Sequence, residues 1–171
     1  GSSIDADASV TNQANEVLAI MTADCLPILF SGADGTVIGA AHAGWRGLCS
    51  GVIENTVLEM LQLSPGSSAK DLIAWLGPAI GPQSFEVGQD VVAAFQDAGT
   101  ANQSTAFKAI EGKSGKYLAD IYQLARERLR VLGVNKISGG DRCTVMEGEQ
   151  FFSYRRDGKT GRFATFIWIS K

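Results

Sequence analysis

The residues best equipped for chemistry lie in one stretch, residues 21–47. It holds the only histidine, His42, and one of three cysteines, Cys25. Residues 26–30 form a short apolar run, Gly32-Ala-Asp-Gly35 is a turn signal, and residues 36–41 form a second, partly β-branched run. That spacing predicts a β-hairpin. With Ala33-Asp34-Gly35 as a three-residue loop, Gly32 faces Thr36. Counting back then sets Cys25 opposite Ala43, or opposite His42 if a bulge shifts the register by one. Directly opposed residues carry Cβ atoms roughly 4.5–5.5 Å apart, so thiol and imidazole meet if the register sets both on one face. Three readings are open. Thiolate and imidazole are natural zinc ligands. A thiol beside an imidazole is an activated nucleophile. A core cysteine and a core histidine on neighbouring strands would look the same. Asp24, Trp45 and Arg46 add an acid, an aromatic ring and a guanidinium at a strand end that feeds a loop, where sites tend to be built.

Two further groups stand out. Tyr154, Arg155 and Arg156 combine an aromatic ring with two bidentate donors suited to phosphate or carboxylate; a solvated charged loop is the alternative. Cys143, next to Asp141 and Arg142, is the second candidate thiol, although a small buried cysteine at a strand–loop junction is the commoner case.

Several elements must position these groups. Residues 17–21 read as a buried strand ahead of the hairpin. Residues 47–63 read as one helix with Leu48, Val52, Ile53, Val57, Met60 and Leu61 at helical spacing, stopped by Ser64-Pro-Gly. Its N-terminus, just beyond His42, would attract an anion with Arg46 assisting; an Arg46–Asp24 ion pair is the alternative. Residues 72–76 read as a strand running into the stiff Gly77-Pro-Ala-Ile-Gly-Pro82 loop. Residues 89–98 are predicted as an amphipathic helix, 99–104 as a loop, and 117–132 as a helix stopped by Gly133. Residues 134–138 and 162–170 complete the strands. The last has apolar residues on both faces and should be covered on both. Hairpins at both ends with helices between argue for an α+β fold, mixed sheets covered by outer helices.

The 171 residues suit a single domain, and a hydrophobic content of 45% supplies a sizeable core. A net charge of −3 argues against a nucleic-acid footprint. No apolar run is long enough to span a bilayer. Three cysteines do not make a disulfide framework, and a reducing cytoplasm is expected. No dinucleotide or P-loop glycine pattern is present. One histidine is too few for several coppers.

Thr22-Ala-Asp-Cys-Leu-Pro27, Ala41-His-Ala-Gly-Trp-Arg-Gly47, Gly77-Pro-Ala-Ile-Gly-Pro82, Phe85-Glu-Val-Gly88, Asp141-Arg-Cys-Thr144 and Phe151-Phe-Ser-Tyr-Arg-Arg-Asp-Gly158 together resemble the bacterial YfiH family. Its members have been called laccase-domain or multicopper polyphenol oxidases, purine nucleoside phosphorylases with adenosine deaminase activity, and peptidoglycan editing factors. The resemblance runs from about Asp5 to Trp168, with the blocks in the family's order. It implies a zinc held by Cys25, His42 and a second histidine in an N-terminal region that lies outside this chain. It implies phosphorolysis of adenosine, inosine or guanosine and deamination of adenosine. Cys25, His42, Asp24 and Arg46 are then the candidate catalytic residues, and Arg46, Tyr154, Arg155 and Arg156 the candidate substrate-binding residues. Asp24 would orient His42 or carry a proton. Copper is the alternative metal. A cysteine hydrolase or amidase acting on peptidoglycan precursors, with Cys25 as nucleophile and His42 as base, is the alternative activity, and phenol oxidation a further one. The expected partners are a nucleoside and phosphate, without nucleic acid or membrane, on a cytoplasmic monomer. With two of three ligands, this chain alone should hold zinc weakly.

Overall fold

The hairpin is the centre of the structure. In the computed structural model, which describes residues 6–99 and 105–170, β3 (Leu26–Gly32) and β4 (Ile38–Ala43) pair antiparallel. Around them a five-stranded sheet runs in the order β1 (Ala8–Thr11), β4, β3, β5 (Leu72–Leu76), β9 (Lys136–Gly139). All pairs are antiparallel except β5–β9, which is parallel. Strand alternation sends Leu26, Ile28 and Phe30 of β3 to one face, where each is fully buried.

That face is covered by helices. The expected helix over residues 47–63 is two: α1 (Trp45–Cys49) and α2 (Val52–Leu63). Gly51, at φ 85°, breaks them, because a left-handed residue cannot continue a right-handed helix. The apolar stripe of α2, including Ile53, Val57 and Met60, is buried against the sheet. Gly39 permits this close approach: a Cβ there would stand 3.0 Å from Met60 Sδ and 3.2 Å from Thr56 Cγ2.

The expected helix over residues 117–132 also divides. Residues 116–119 are β8 (Lys116–Ala119), and the helix is α4 (Ile121–Leu132), started by Asp120, whose carboxylate accepts the Gln123 N–H at 2.9 Å. Leu118 falls at helical spacing by coincidence and belongs to a three-stranded sheet, β6 (Glu86–Gly88), β8, β7 (Phe107–Ala109). α3 (Gln89–Asp97) buries Val92 and Phe95, as the pattern predicts, and Val91 beside them. The loop expected at 99–104 lies outside the described residues beyond Gly99.

The opposite face of the central sheet is covered by a two-stranded ribbon, β2 (Val17–Thr22) with β10 (Phe163–Trp168). Leu18 and Ile20 point inward onto Ile38 and Ala40. The expectation that β10 is covered on both faces fails: Phe166 and Trp168 are 54% and 57% exposed, beside Val17 and Met21 of β2. The whole is α+β, mixed sheets with outer helices, as the alternation of elements implied.

Candidate functional site

The hairpin register decides where the site lies. The Gly32 N–H donates to Val37 O at 2.8 Å, so the loop is residues 33–36, one longer than expected. The Asp34 carboxylate takes the extra residue: Oδ1 accepts from the Thr36 N–H at 3.1 Å and from its hydroxyl at 3.0 Å, holding Thr36 in the turn. Leu26 therefore opposes Ala43, and Pro27 opposes His42, so neither position expected to face Cys25 does so. One step further, Cys25 lies against Gly44, where a Cβ would stand 3.1 Å from Cys25 Sγ. Gly44 and His42 are two apart and share a side of the strand. The thiol and the imidazole thus sit on one face as diagonal neighbours, a relation with Cβ atoms up to roughly 7–8 Å apart.

His42 has its own carboxylate. Nδ1 lies 3.5 Å from Asp7 Oδ1, and the His42 N–H donates to Asp7 O at 2.7 Å. That charge contact lies on the Nδ1 side of the ring, which leaves Nε2 as the atom free of it for a ligand. Asp24 does not perform that task. Its Oδ1 accepts the Thr144 hydroxyl and its Oδ2 the Arg155 N–H, both at 2.6 Å, while its carbonyl accepts the Ile80 N–H at 2.9 Å. Asp24 is buried and sits at φ 94°, a left-handed conformation that aspartate tolerates better than most residues. This one residue thereby fastens the Cys25 turn to the Gly77–Pro82 loop through its carbonyl, and to Thr144 and Arg155 through its carboxylate.

Beside this fastening is a pocket of about 410 Å³ lined by Asp24, Cys25, Trp45, Arg46, Ile80, Phe85, Tyr154, Arg155 and Arg162 among others. Arg46 stacks on its neighbour Trp45, with Cζ 4.4 Å from the ring centroid, and forms no ion pair with Asp24 among the described residues. At five residues, α1 is too short to serve as the expected anion-binding helix end. Tyr154 and Arg155 open α5 (Tyr154–Asp157), capped by Ser153, whose hydroxyl accepts the Arg156 N–H. Arg155 extends over Phe85 and donates to Glu86 O at 3.0 Å. Arg156 turns away from the pocket. It is paired with Asp157 and donates to the carbonyls of Thr144, Val145 and Phe151, which makes it a brace for this segment.

The charge at Arg156's expected place is supplied by Arg162, which the sequence reading passed over. Arg162 directly precedes Phe163, and Phe163 pairs with Thr22. Recognising that β10 returns to β2 would have brought Arg162 to the Ala23–Cys25 turn. Burial pushes the Cys25 thiol above its usual range, with the Asp24 charge adding to this, the Arg162 charge opposing it and Asp7 adding again.

Zinc is the metal the donors suit in kind: a thiol and an imidazole on one face, with a carboxylate near the imidazole. Thr22 points to the same inter-sheet layer from the end of β2, and its buried hydroxyl has no hydrogen-bond partner. In number the donors fall short, because no third histidine, cysteine or carboxylate among the described residues joins them in a metal-holding group. Several coppers would need more imidazoles than one chain histidine provides.

Taken together, the α+β fold places a thiol, an imidazole and an arginine-lined pocket at one end of the central sheet. The family model described as multi-copper polyphenol oxidoreductase laccase matches residues 2–170, and the chain belongs to that family. It is 56% identical over 164 residues to the protein named purine nucleoside phosphorylase YfiH of Escherichia coli K12, covering 96% of this chain and 64% of that one. A purine nucleoside phosphorylase of Haemophilus influenzae is 50% identical over 169 residues, covering 99% and 67%. A crystal structure from Neisseria meningitidis superposes with a TM-score of 0.90 at 50% identity, covering 98% of this chain and 66% of that one. The chain thus spans about two-thirds of the length of these relatives. No described helix is long and apolar enough to cross a membrane.

Proposed function

We propose that this chain carries the reaction site of a purine nucleoside phosphorylase that cleaves adenosine, inosine or guanosine with phosphate, and that the same site deaminates adenosine. One observation carries the reading: a single pocket joins Cys25 to three aromatic rings, of Trp45, Phe85 and Tyr154, and three guanidiniums, of Arg46, Arg155 and Arg162. Aromatic faces suit a purine ring, and guanidiniums suit an oxyanion. Relatives at half identity or better that carry the phosphorylase name support the same reaction.

Zinc would be held by the Cys25 thiolate and His42 Nε2, and would supply Lewis-acid polarisation of a substrate oxygen or a bound water of lowered pKa. The chain's own residues do the rest. Asp7 lies beside His42 Nδ1, which leaves Nε2 for the ligand. Asp24 holds Arg155 at the pocket wall. Phe85 and Ile80 exclude water from the side of the pocket facing the core. The raised Cys25 thiol is a poor nucleophile at neutral pH, which favours the ligand role over the cysteine hydrolase.

Incubating the chain with zinc and each nucleoside, with and without inorganic phosphate, tests the reading. Free base and ribose 1-phosphate should form only with phosphate, and inosine from adenosine without it; a chelator should abolish both. Release of neither base nor inosine from a zinc-loaded sample would overturn it.

A further inference from the structure

We propose that Cys143 is a thiol-exchange site: its sulfur attacks a low-molecular-mass disulfide entering the cavity beside it, and the mixed disulfide so formed loosens the loop that walls the Cys25 pocket. The inference stands apart from the phosphorylase reading, because neither this thiol nor its cavity belongs to that site.

Cys143 opens onto a cavity of about 300 Å³, which it lines together with Arg126, Asp141, Arg142 and Met146. Among the described residues no second cysteine lines that cavity, and all the cysteines of the chain are free, so a partner sulfur must come from outside. The sulfur is set up to attack. The Gly81 N–H donates to Sγ at 3.3 Å, Ser84 Oγ lies 3.6 Å away, and the main-chain N–H groups of Val145 and Met146 also point to it. Donors on sulfur favour the thiolate, the form that attacks a disulfide. The turn that aims those N–H groups is closed by Glu147, whose Oε1 accepts the Cys143 N–H at 2.7 Å and whose own N–H donates to Cys143 O at 2.9 Å. Burial pushes the thiols of Cys25 and Cys49 the other way. The exchange needs no separate oxidant. The thiolate attacks one sulfur of the small disulfide, the bond between its two sulfurs breaks, and a bond to Cys143 Sγ forms. The released thiolate leaves with the electron pair and takes a proton from water.

The backbone pressed against this sulfur belongs to the loop that walls the Cys25 pocket. A Cβ on Gly81 would stand 2.9 Å from Cys143 Cβ and 3.0 Å from Sγ, so an added sulfur has to enter the cavity or displace Gly81. In either case Sγ no longer carries the charge that the Gly81 N–H was bonded to, and that tie weakens. Gly81 adjoins Ile80, which lines the Cys25 pocket and whose N–H donates to Asp24 O at 2.9 Å. On the other side of the sulfur, Thr144 directly follows Cys143. Its N–H donates to Ala79 O at 3.0 Å and its hydroxyl to Asp24 Oδ1 at 2.6 Å. Cys143 therefore stands next to two of the ties that fix Asp24 at the pocket.

Hydroxyethyl disulfide, a small neutral probe, tests this on the 171-residue chain at neutral pH. Peptide mass spectrometry should find an adduct on Cys143 that forms about tenfold or more faster than adducts of Cys25 and Cys49 and is removed by dithiothreitol. Cys143→Ser, which keeps the size of the side chain, should abolish the fast adduct. In the chain modified only at Cys143, amide hydrogen exchange at Ile80, Gly81 and Thr144 should speed up by about tenfold, the worth of one lost hydrogen bond, and stay unchanged along α2. The Cys143→Ser chain treated in the same way should show no such change. Faster reaction of Cys25, or reaction of all the thiols at one rate, would overturn the exchange site. A clean adduct on Cys143 with unaltered exchange at Ile80 and Gly81 would overturn its link to the Cys25 pocket.

Discussion

Two thiols, Cys25 and Cys143, flank the Gly77–Pro82 loop and are poised in opposite directions. Cys25 is bound up with apolar and acidic neighbours: burial, then the charges of Asp24 and Asp7, keep its proton on, with Arg162 opposing them. At Cys143 burial works the same way but is outweighed. Sγ lies 3.6 Å from Ser84 Oγ and 3.3 Å from the donating Gly81 N–H, and the main-chain N–H groups of Met146 and Val145 add to these, so the thiol falls below its usual range. The more acidic thiol is not the one beside the imidazole. A nucleophile is activated by easing its deprotonation, whereas a metal supplies that itself when it binds. Cys143 lines a separate cavity of about 300 Å³ in which Arg142 is already paired with Glu147 and Arg126 donates to Gly139 O at 2.6 Å.

The largest disturbance of this contrast should come from Asp24. Asp24→Ala strands the Thr144 hydroxyl and the Arg155 N–H and places alanine at φ 94°. It should cost about 3 kcal/mol in denaturant unfolding. Asp24→Asn keeps an acceptor for Arg155 and can donate its amide to Thr144 Oγ1, and asparagine tolerates the backbone conformation. Its cost should be about 1 kcal/mol, while loss of the negative charge lowers the Cys25 thiol toward its ordinary range. If Asp24 is a proton carrier, both variants should lose turnover equally. If it positions Arg155, asparagine should retain kcat while alanine raises KM for phosphate.

Alkylation followed by mass spectrometry addresses the thiols directly. Cys143 should react at lower pH than Cys25, because its thiolate is favoured and that of Cys25 disfavoured. Ser84→Ala should move the Cys143 profile to higher pH, narrowing the gap from that side. Zinc should protect Cys25 and leave Cys143 unchanged. Cys25 reacting first in the metal-free chain would reverse the comparison and restore the nucleophile.

The sequence showed the hairpin, the apolar faces of α2 and α4 and the α+β alternation, because each depends on local period and turn residues. The site depended on a longer-range count. Gly32-Ala-Asp-Gly35 announced a turn, yet its length was decided by Asp34 capturing Thr36, a side-chain contact invisible in composition. That one residue moved Cys25 from Ala43 to Gly44 and onto the face of His42. Cys25, Asp24, Arg46, Tyr154 and Arg155 do meet in one pocket, while His42, expected with them, is not part of its lining. Arg162 stands where Arg156 was expected, since the adjacent Arg155 and Arg156 look alike until the Ser153-capped turn sends one to the pocket and the other away from it. Tertiary pairing of β2 with β10, separated by most of the chain, was the missing information.

Gly44 offers the smallest and most local change. Its extended backbone, φ −64° and ψ 164°, suits any residue, so only space argues for glycine. A Cβ would stand 3.1 Å from Cys25 Sγ and 3.9 Å from its Cβ, and the sulfur must give way by a few tenths of an ångström. Gly44→Ala should therefore cost about 1 kcal/mol in unfolding free energy, far less than Asp24→Ala. It should nevertheless weaken zinc binding, because the displaced sulfur is the donor that must converge with His42. The Cys143 alkylation profile should not move. A variant with unchanged zinc affinity would show that the thiol and the imidazole do not share an ion.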